Sequence, residues 1–241
     1  MAGAGAIKPG RNLANIVVRK DLAPPGGYVD LATLNRPVRV AITAEGSLPH
    51  AILLLEFEKA GLAPEDLAIS TMGLPEINVA LGNGHIDVAG SGEPLITVGE
   101  QQGLLARWKP MAELYPDMPY GVLLYGVNLL ERDRDAGERL LRAFVRAIRD
   151  YEDAFTRGKD REAIIGMLSE PLRIPPPLFQ ALQERGGLAY LDPNGTINVE
   201  PLRPVLERWA RLQLVPAGFD PQRLVDSTFV ERAIARLGPY E

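Results

Sequence analysis

Strands and helices alternate between Pro37 and Pro94, and this alternation constrains the fold more than any other feature of the chain. The first strand is predicted over residues 38–42 (VRVAI), where apolar side chains recur at every second position. The loop after it ends at Ser47, a good N-cap for the apolar helix Pro49–Lys59, which Gly61 closes. A strand followed by a helix, when repeated, is typical of an α/β fold with a mostly parallel sheet.

Two further strand–helix units follow in the same pattern. Strand Leu67–Ser70 leads through a loop into helix Glu76–Leu81. Strand Ile86–Ala89 leads through the glycine- and serine-rich loop of residues 90–92 into a helix that opens at residues 93–94. The carboxyl ends of parallel strands meet at one edge of the sheet, where free N–H groups at helix starts attract anions. The sequence therefore predicts a small-ligand site at this edge.

Eight residues in and around these loops are candidates for ligand binding. Ser47 combines a hydroxyl group with a helix N-terminus, although it could equally serve only as a cap. His50 lies in the first turn of the same helix, where positive charge is disfavoured, so we predict a neutral imidazole. The same choice applies to Glu93, which either accepts a hydrogen bond from a ligand or only caps its own helix. The complete set is Thr43, Gly46, Ser47, His50, Met72, Gly90, Ser91 and Glu93.

The acidic residues near this edge bear on the charge of the ligand. Glu93 and Glu45 would both repel a bare inorganic anion such as nitrate if they faced the site. The sequence therefore favours an organic solute over an inorganic one.

No catalytic or metal site is predicted, and no cofactor is expected. The chain has no cysteine, which excludes disulfides, thiolate catalysis and cysteine metal ligands together. Its two histidines, His50 and His85, lie far apart in the sequence, and His85 beside a glycine turn is interpreted as structural. The sequence also lacks a nucleophile elbow, a zinc-protease HExxH motif and a Walker phosphate-binding loop.

Composition narrows the class of protein further. With 46% hydrophobic and 24% charged residues, the chain of 241 residues can bury a substantial core in one large or two small domains. A net charge of −5, without a lysine or arginine cluster, gives no basic surface for nucleic acid. No apolar run is long enough for a membrane helix.

Several segments resemble the ABC-transporter substrate-binding proteins of the nitrate/sulfonate/taurine (SsuA-like) group. They are residues 17–22 (VVRKDL), 58–62 (EKAGL), 80–87 (ALGNGHID) and 93–94 (EP). Near the C-terminus, residues 191–195 (LDPNG), 224–227 (LVDS) and 237–240 (LGPY) resemble the family's last helices. The order and spacing of these segments extend the resemblance over nearly the whole chain.

The resemblance implies a bilobal α/β fold of the type II periplasmic-binding class. Residues 1–19 would form an N-terminal arm and the first hinge strand, and residues 20–118 a complete lobe two. Residues 119–241 would form the return hinge strand and the mostly helical part of lobe one. The first residues carry no signal-peptide pattern, so the first half of lobe one and its export signal are expected to be missing. Apolar surface left uncovered by that half predicts self-association.

The same resemblance implies positions for four side chains outside the loops. Arg19 and Tyr125 would lie on the two hinge strands, from which they could reach a ligand between the lobes. Trp108 and Trp209 are interpreted as packing residues, one in each lobe.

The function implied is that of a solute-binding component of an ABC importer. It would capture a small organic solute between the two lobes, possibly an anion such as a sulfonate or carboxylate, and deliver it to the transporter permease in the periplasm or at the cell surface. One alternative is an enzyme of the same fold, either a cysteine-dependent desulfinase or the pyrimidine synthase of thiamine biosynthesis. The absence of cysteine disfavours both, except that the desulfinase nucleophile would fall in the part of lobe one expected to be missing. Another is a truncated remnant that no longer binds a solute.

Overall fold

The computed structural model describes residues 2–25, 27–109 and 111–240, and they form a mixed α/β structure. The strands are β1 (Ala2–Ala6), β2 (Ala14–Arg19), β3 (Val38–Ile42), β4 (Leu67–Thr71), β5 (Val88–Gly92), β6 (Leu105–Lys109), β7 (Pro119–Leu123) and β8 (Tyr190–Leu191). The α-helices are α1 (Leu48–Lys59), α2 (Leu74–Gly82), α3 (Leu95–Gln101), α4 (Met111–Leu114), α5 (Arg134–Glu152), α6 (Arg161–Leu172), α7 (Pro176–Glu184), α8 (Arg203–Arg211) and α9 (Thr228–Leu237).

Five strands form the larger sheet, in the order β4–β3–β5–β2–β6. Strands β3, β4 and β5 are parallel, whereas β2 runs antiparallel to β5 and β6. The register places Val40 beside Val88 and Ala14 beside Gly92. The ends of β3, β4 and β5 and the start of β2 therefore lie at one edge, which we call the carboxyl edge.

The larger sheet is covered on both faces because its side chains alternate. Val40 and Ile42 point to one face and pack with Phe57 of α1 in the main core cluster. Ala41, between them, points to the other face and packs with Ile77 of α2. The strand–helix–strand alternation predicted from the sequence is confirmed by this arrangement.

The smaller sheet has the order β7–β1–β8, with β1 antiparallel to both neighbours. Helices α5 to α7 and α9 lie in the same part of the molecule. Leu141 and Val145 of α5 pack with Phe229 of α9, and Phe179 of α7 packs with Ile165 of α6. Among the described residues, no helix is both long and apolar enough to span a bilayer.

Two element predictions from the sequence are corrected by the structure. Residues 2–6, expected in a loose arm, form the central strand of the smaller sheet, because their backbone pairs with β7 and β8 although their small side chains give no strand pattern. Residues 90–92, expected in a loop, belong to β5, because they pair with residues 14–16 of β2. The lobe boundaries at residues 20–118 and 119–241 stay predictions.

The positions of the two tryptophans differ from those predicted. Trp108 and Trp209 pack against the same core cluster instead of lying one in each lobe. The reason is that α8 packs against α1, with Val205 fully buried in that cluster. The C-terminal part of the chain thus contributes directly to the core of the larger sheet.

Candidate functional site

The loop after β3 and the end of β5 meet at the carboxyl edge, as the sequence predicted. The two strands are parallel, and Ala41 lies beside Ala89. A Cβ atom added to Gly90 would lie 2.7 Å from the Cβ of Pro49, so the start of α1 packs directly against β5. Glycine at this position is what allows the helix N-terminus to approach the strand so closely.

Ser47 caps α1 as predicted. Its hydroxyl oxygen accepts a hydrogen bond from the backbone N–H of His50 at 3.4 Å. The Gly46 N–H donates to Nδ1 of His50 at 3.0 Å, with Gly46 at a φ of 70°. The loop is thus closed by its own side chains, and the role of Ser47 toward a ligand stays a prediction.

The imidazole of His50 is held in its neutral form, as expected. Burial lowers the pKa of His50, and Arg208 lowers it further although Glu45 raises it. Because Nδ1 accepts the Gly46 N–H, the proton of the neutral ring is on Nε2. His50 is therefore an uncharged residue of the first turn of α1.

Ser91 is the most unusual polar residue at this edge. Ser91 is only 3% exposed, and its Oγ has no hydrogen-bond partner among the described residues. Leaving a buried hydroxyl group unpaired costs free energy, so such groups normally bind water or a ligand. This makes Ser91 the candidate with the clearest unmet hydrogen-bonding capacity.

Two asparagines next to Ser91 were missed by the sequence reasoning. Asn15 lies beside Ser91 across the β2–β5 pair and is 3% exposed. Asn12 is also buried, and its Nδ2 donates to Oδ1 of Asn15 at 2.8 Å. Two amides three residues apart at the start of an apolar strand were the available signal.

Glu93 caps its own helix, and each of its two carboxylate oxygens accepts a hydrogen bond from the protein. Its Oε1 accepts a hydrogen bond from Nη2 of Arg107 at 2.6 Å, and its Oε2 accepts one from the N–H of Thr97 at 3.0 Å. The side chain is 1% exposed. The capping interpretation is therefore the one that the geometry supports, and Arg107 offsets the charge expected to repel an anion.

The remaining candidates lie on the rim of the same edge. Thr43 is exposed, whereas Gly90 is buried and serves the close approach of α1. Met72 is half-buried, packs against the core on the α2 face, and donates its N–H to the carbonyl of Ile42 at 3.0 Å. A Cβ added to Gly46 would lie 2.9 Å from Cδ1 of Leu214, so the segment after α8 also reaches this rim.

The structure does not bring Arg19 and Tyr125 to the site. Arg19 lies at the end of β2, which is the opposite edge of the sheet, and pairs with Asp87 at 3.3 Å. The Tyr125 ring packs edge-on against Phe229, and its hydroxyl donates to the Gly137 carbonyl at 2.6 Å. Arg19 is thus used in an ion pair and Tyr125 in packing.

The segment after α7 joins the two sheets beside the carboxyl edge. The Asn12 N–H donates to the Gly186 carbonyl at 2.7 Å. A Cβ added to Gly187 would lie 2.7 Å from Oε1 of Glu93, and Arg185 pairs with Glu100 at 2.9 Å. We call residues 185–187 with these partners the junction.

The described residues contain no cluster of three or more histidine, cysteine, aspartate or glutamate side chains that could hold a metal ion. The polar groups at the carboxyl edge are hydroxyls, amides, a neutral imidazole and backbone N–H groups. Such groups can hold a small polar or anionic molecule by hydrogen bonds.

Solved structures with a similar fold include several solute-binding proteins. The periplasmic aliphatic sulphonate binding protein SsuA from Escherichia coli has a TM-score of 0.66 and 20% identity, covering 95% of this chain and 74% of that chain. The ligand binding component of an ABC-type import system from Staphylococcus aureus has a TM-score of 0.67 and 17% identity, covering 96% and 74%. The periplasmic nitrate-binding protein NrtA from Synechocystis PCC 6803 has a TM-score of 0.69 and 16% identity, covering 98% and 66%.

An enzyme shares the fold as well. The desulfurization enzyme DSZB has a TM-score of 0.57 and 12% identity, covering 98% of this chain and 78% of that chain. No curated protein matches the chain by sequence.

The likenesses establish the fold predicted from the sequence, the bilobal α/β architecture of type II periplasmic-binding proteins. The profile of the NMT1-like family matches residues 6–167, which is more than half of the chain. The chain therefore belongs to the NMT1-like family.

Proposed function

We propose that this protein is the solute-binding component of an ABC importer and holds a small organic solute at the carboxyl edge. One observation carries the proposal: the hydroxyl of Ser91 is buried and unpaired among the described residues at the carboxyl edge, on the face that α2 covers, while α1 begins at the same edge on the opposite face. A helix N-terminus favours negative charge, and a free hydroxyl supplies a hydrogen bond. Together they suit a sulfonate, a carboxylate or a related group.

The charges around the edge support an anionic group on the solute. Arg107 offsets the charge of Glu93, and His50 is neutral, so neither opposes an anion. Glu45 is exposed in the loop before Ser47 and still disfavours a bare inorganic anion. The names of two proteins with this fold, which specify an aliphatic sulphonate and nitrate, agree with an anionic ligand class.

Binding would occur between lobe two, residues 20–118, and lobe one, within residues 119–241. Proteins of this kind close two lobes around the solute, and the transporter permease senses the closed form. The junction would keep the lobes aligned beside the site. The protein would act in the periplasm or at the cell surface.

The test is calorimetric titration of the full chain with ethanesulfonate, benzoate and nitrate. Binding of an organic anion with weaker binding of nitrate is expected. Ser47→Asp keeps a good cap but adds negative charge, so it should unfold near the wild-type temperature and lose at least tenfold in affinity. Ser227→Asp adds the same charge at the start of α9 and should bind like wild type. It is a control for affinity alone, because it also removes the hydrogen bond from Ser227 to Glu231.

Ser91→Ala tests the hydroxyl directly. Because the Oγ of Ser91 has no hydrogen-bond partner in the described part of the chain, its removal should leave stability unchanged within about 1 kcal/mol but weaken solute binding. Equal affinity in wild type, Ser47→Asp and Ser91→Ala would contradict the proposed site. No titration signal with any of the organic anions would favour the non-binding remnant.

The second candidate function is that of an enzyme of the same fold. The likeness to the desulfurization enzyme is the observation that favours it. Release of sulfite from an aryl sulfinate by the full chain would favour it. The lack of cysteine supports the binding role instead, because thiolate catalysis depends on that residue.

A further inference from the structure

A cavity of about 390 Å³ lies beside the junction, next to the carboxyl edge at Glu93 and Pro94, but neither Ser47 nor Ser91 lines it. Its walls include Leu168 and Leu172 of α6, Phe179 of α7, Leu13 and Pro94. Leu168 and Leu172 are one helical turn apart and so present their side chains on the same side of α6. A volume of this size is within the range of small-molecule sites.

The walls come from separate parts of the chain that are tied together. Leu13 and Pro94 belong to the segments flanking β2 and β5, whereas Phe179 and Leu188 belong to α7 and the segment after it. The junction fixes these parts relative to each other through direct backbone and side-chain contacts. The cavity is therefore formed before any molecule enters it.

The polar groups that reach the cavity are already bonded. Glu93 is held by Arg107 and by the Thr97 N–H. The Tyr151 hydroxyl donates to the Ala189 carbonyl at 3.0 Å. Burial raises the pKa of Tyr151 to about 12, so the phenol is neutral at physiological pH. The cavity thus offers apolar contact and no unpaired charge.

We propose that this cavity is a second binding site, one that takes a small uncharged aromatic or alkyl compound. A charged ligand would be disfavoured there, since it would lose its hydration without gaining a partner. An apolar molecule loses only unfavourable contact with water when it moves among these leucine, isoleucine and phenylalanine side chains. The site does not depend on the function proposed for the carboxyl edge.

The test uses N-phenyl-1-naphthylamine, an uncharged aromatic probe that fluoresces more strongly in apolar surroundings. Leu172, 54% exposed at the rim, is replaced by Trp to fill the cavity from outside. Met167, 64% exposed on the same helix and not part of the wall, is replaced by Trp as the matched control. We expect saturable binding to wild type, at least tenfold weaker binding to Leu172→Trp, and a change below twofold in Met167→Trp.

Further measurements separate filling of the cavity from a loss of stability. Thermal unfolding should give matching midpoints for both tryptophan variants, and Leu172→Glu, which places a charge at the rim without filling the cavity, should weaken probe binding as well. The sulfonated probe 8-anilino-1-naphthalenesulfonate should bind more weakly than the uncharged one. Unchanged probe binding in Leu172→Trp would overturn the proposal, as would preference for the sulfonated probe. Ethanesulfonate titration of the same variants reports on the carboxyl edge separately.

Discussion

At the scale of single residues, Glu56 in α1 is a buried charge with several hydrogen-bond donors around it. Its side chain is 1% exposed and accepts hydrogen bonds from Lys109 at 2.8 Å, Lys59 at 2.7 Å and Tyr115 at 2.8 Å. Burial alone would raise the pKa of Glu56, but these three donors outweigh it and lower the pKa below its ordinary value. The carboxylate is therefore favoured in the folded state over the unfolded one.

Replacing Glu56 by Gln should reduce stability by about 2–3 kcal/mol at pH 7, because the hydrogen bonds between the carboxylate and the two lysine ammonium groups are lost. A carboxyl group with a depressed folded-state pKa contributes fully above its unfolded pKa of about 4.3, and its contribution is lost as pH falls through the folded value. The difference between wild type and Glu56→Gln should accordingly shrink below pH 4.

Urea unfolding at pH 7 and pH 3.5 measures both quantities. The control is Glu58→Gln, on the same helix but 51% exposed, which should change stability by less than about 1 kcal/mol at either pH. An equal loss of unfolding free energy in the two variants would show that the buried Glu56 stabilises the fold no more than an exposed glutamate does.

Residue roles were predictable from sequence where they depend on close neighbours in the chain. The Ser47 cap and the neutral His50 follow from their positions in the first turn of α1. The state of Glu93 does not, because it depends on Arg107, which β6 brings alongside. Leu214 approaches Gly46 only because α8 packs on α1.

At the scale of elements, the sequence located β3, β4 and α1 well because their patterns are regular. It placed β5 too early, since Gly90, Ser91 and Gly92 have loop-forming composition and only pairing with β2 makes them strand. Helix α2 starts earlier than expected, at Leu74, because Glu76 accepts the N–H of Gly73 and completes the first turn.

The contact between β5 and α1 leads to a prediction about Gly90. In Gly90→Ala the new Cβ would meet the ring of Pro49, and the packed helix start would have to move. A loss of about 1–3 kcal/mol in stability is expected from such overpacking, together with weaker solute binding. Thermal unfolding and calorimetric titration measure the two effects.

Gly121→Ala is the matched control for that change. Gly121 also lies in a strand, and no atom of a described residue lies within 4 Å of the position that its Cβ would occupy. Its replacement should be neutral within about 0.5 kcal/mol. A Gly90→Ala protein as stable as Gly121→Ala would mean that α1 is free to shift away from β5.

At the scale of the whole molecule, one face of the smaller sheet stays uncovered. Tyr120 and Val122 of β7 are 39% and 38% exposed, and Leu124 beyond the strand is 72% exposed. Strand β7 is at the edge of its sheet, with β1 as its one neighbour among the described residues. An apolar edge strand is a template for pairing with another chain.

We therefore predict that the protein self-associates through β7 and that Leu124→Lys weakens this association. Sedimentation velocity over a range of protein concentrations should show a lower average mass for the variant, because a charged group opposes burial of the edge. Val79→Lys, at a 60% exposed position on α2, should leave the mass unchanged. A wild-type protein that stays monomeric throughout that range would refute the prediction.

The packing of α8 on α1 also affects the order in which parts of the core can form during synthesis. During synthesis the strands of the larger sheet emerge from the ribosome long before Val205 and Leu214, which complete the outer side of α1 and the rim at Gly46. The nascent chain thus carries an uncovered part of α1 until residues 205–214 have been translated. We expect a chaperone that shields such faces to act on the nascent chain until residues 205–214 have emerged.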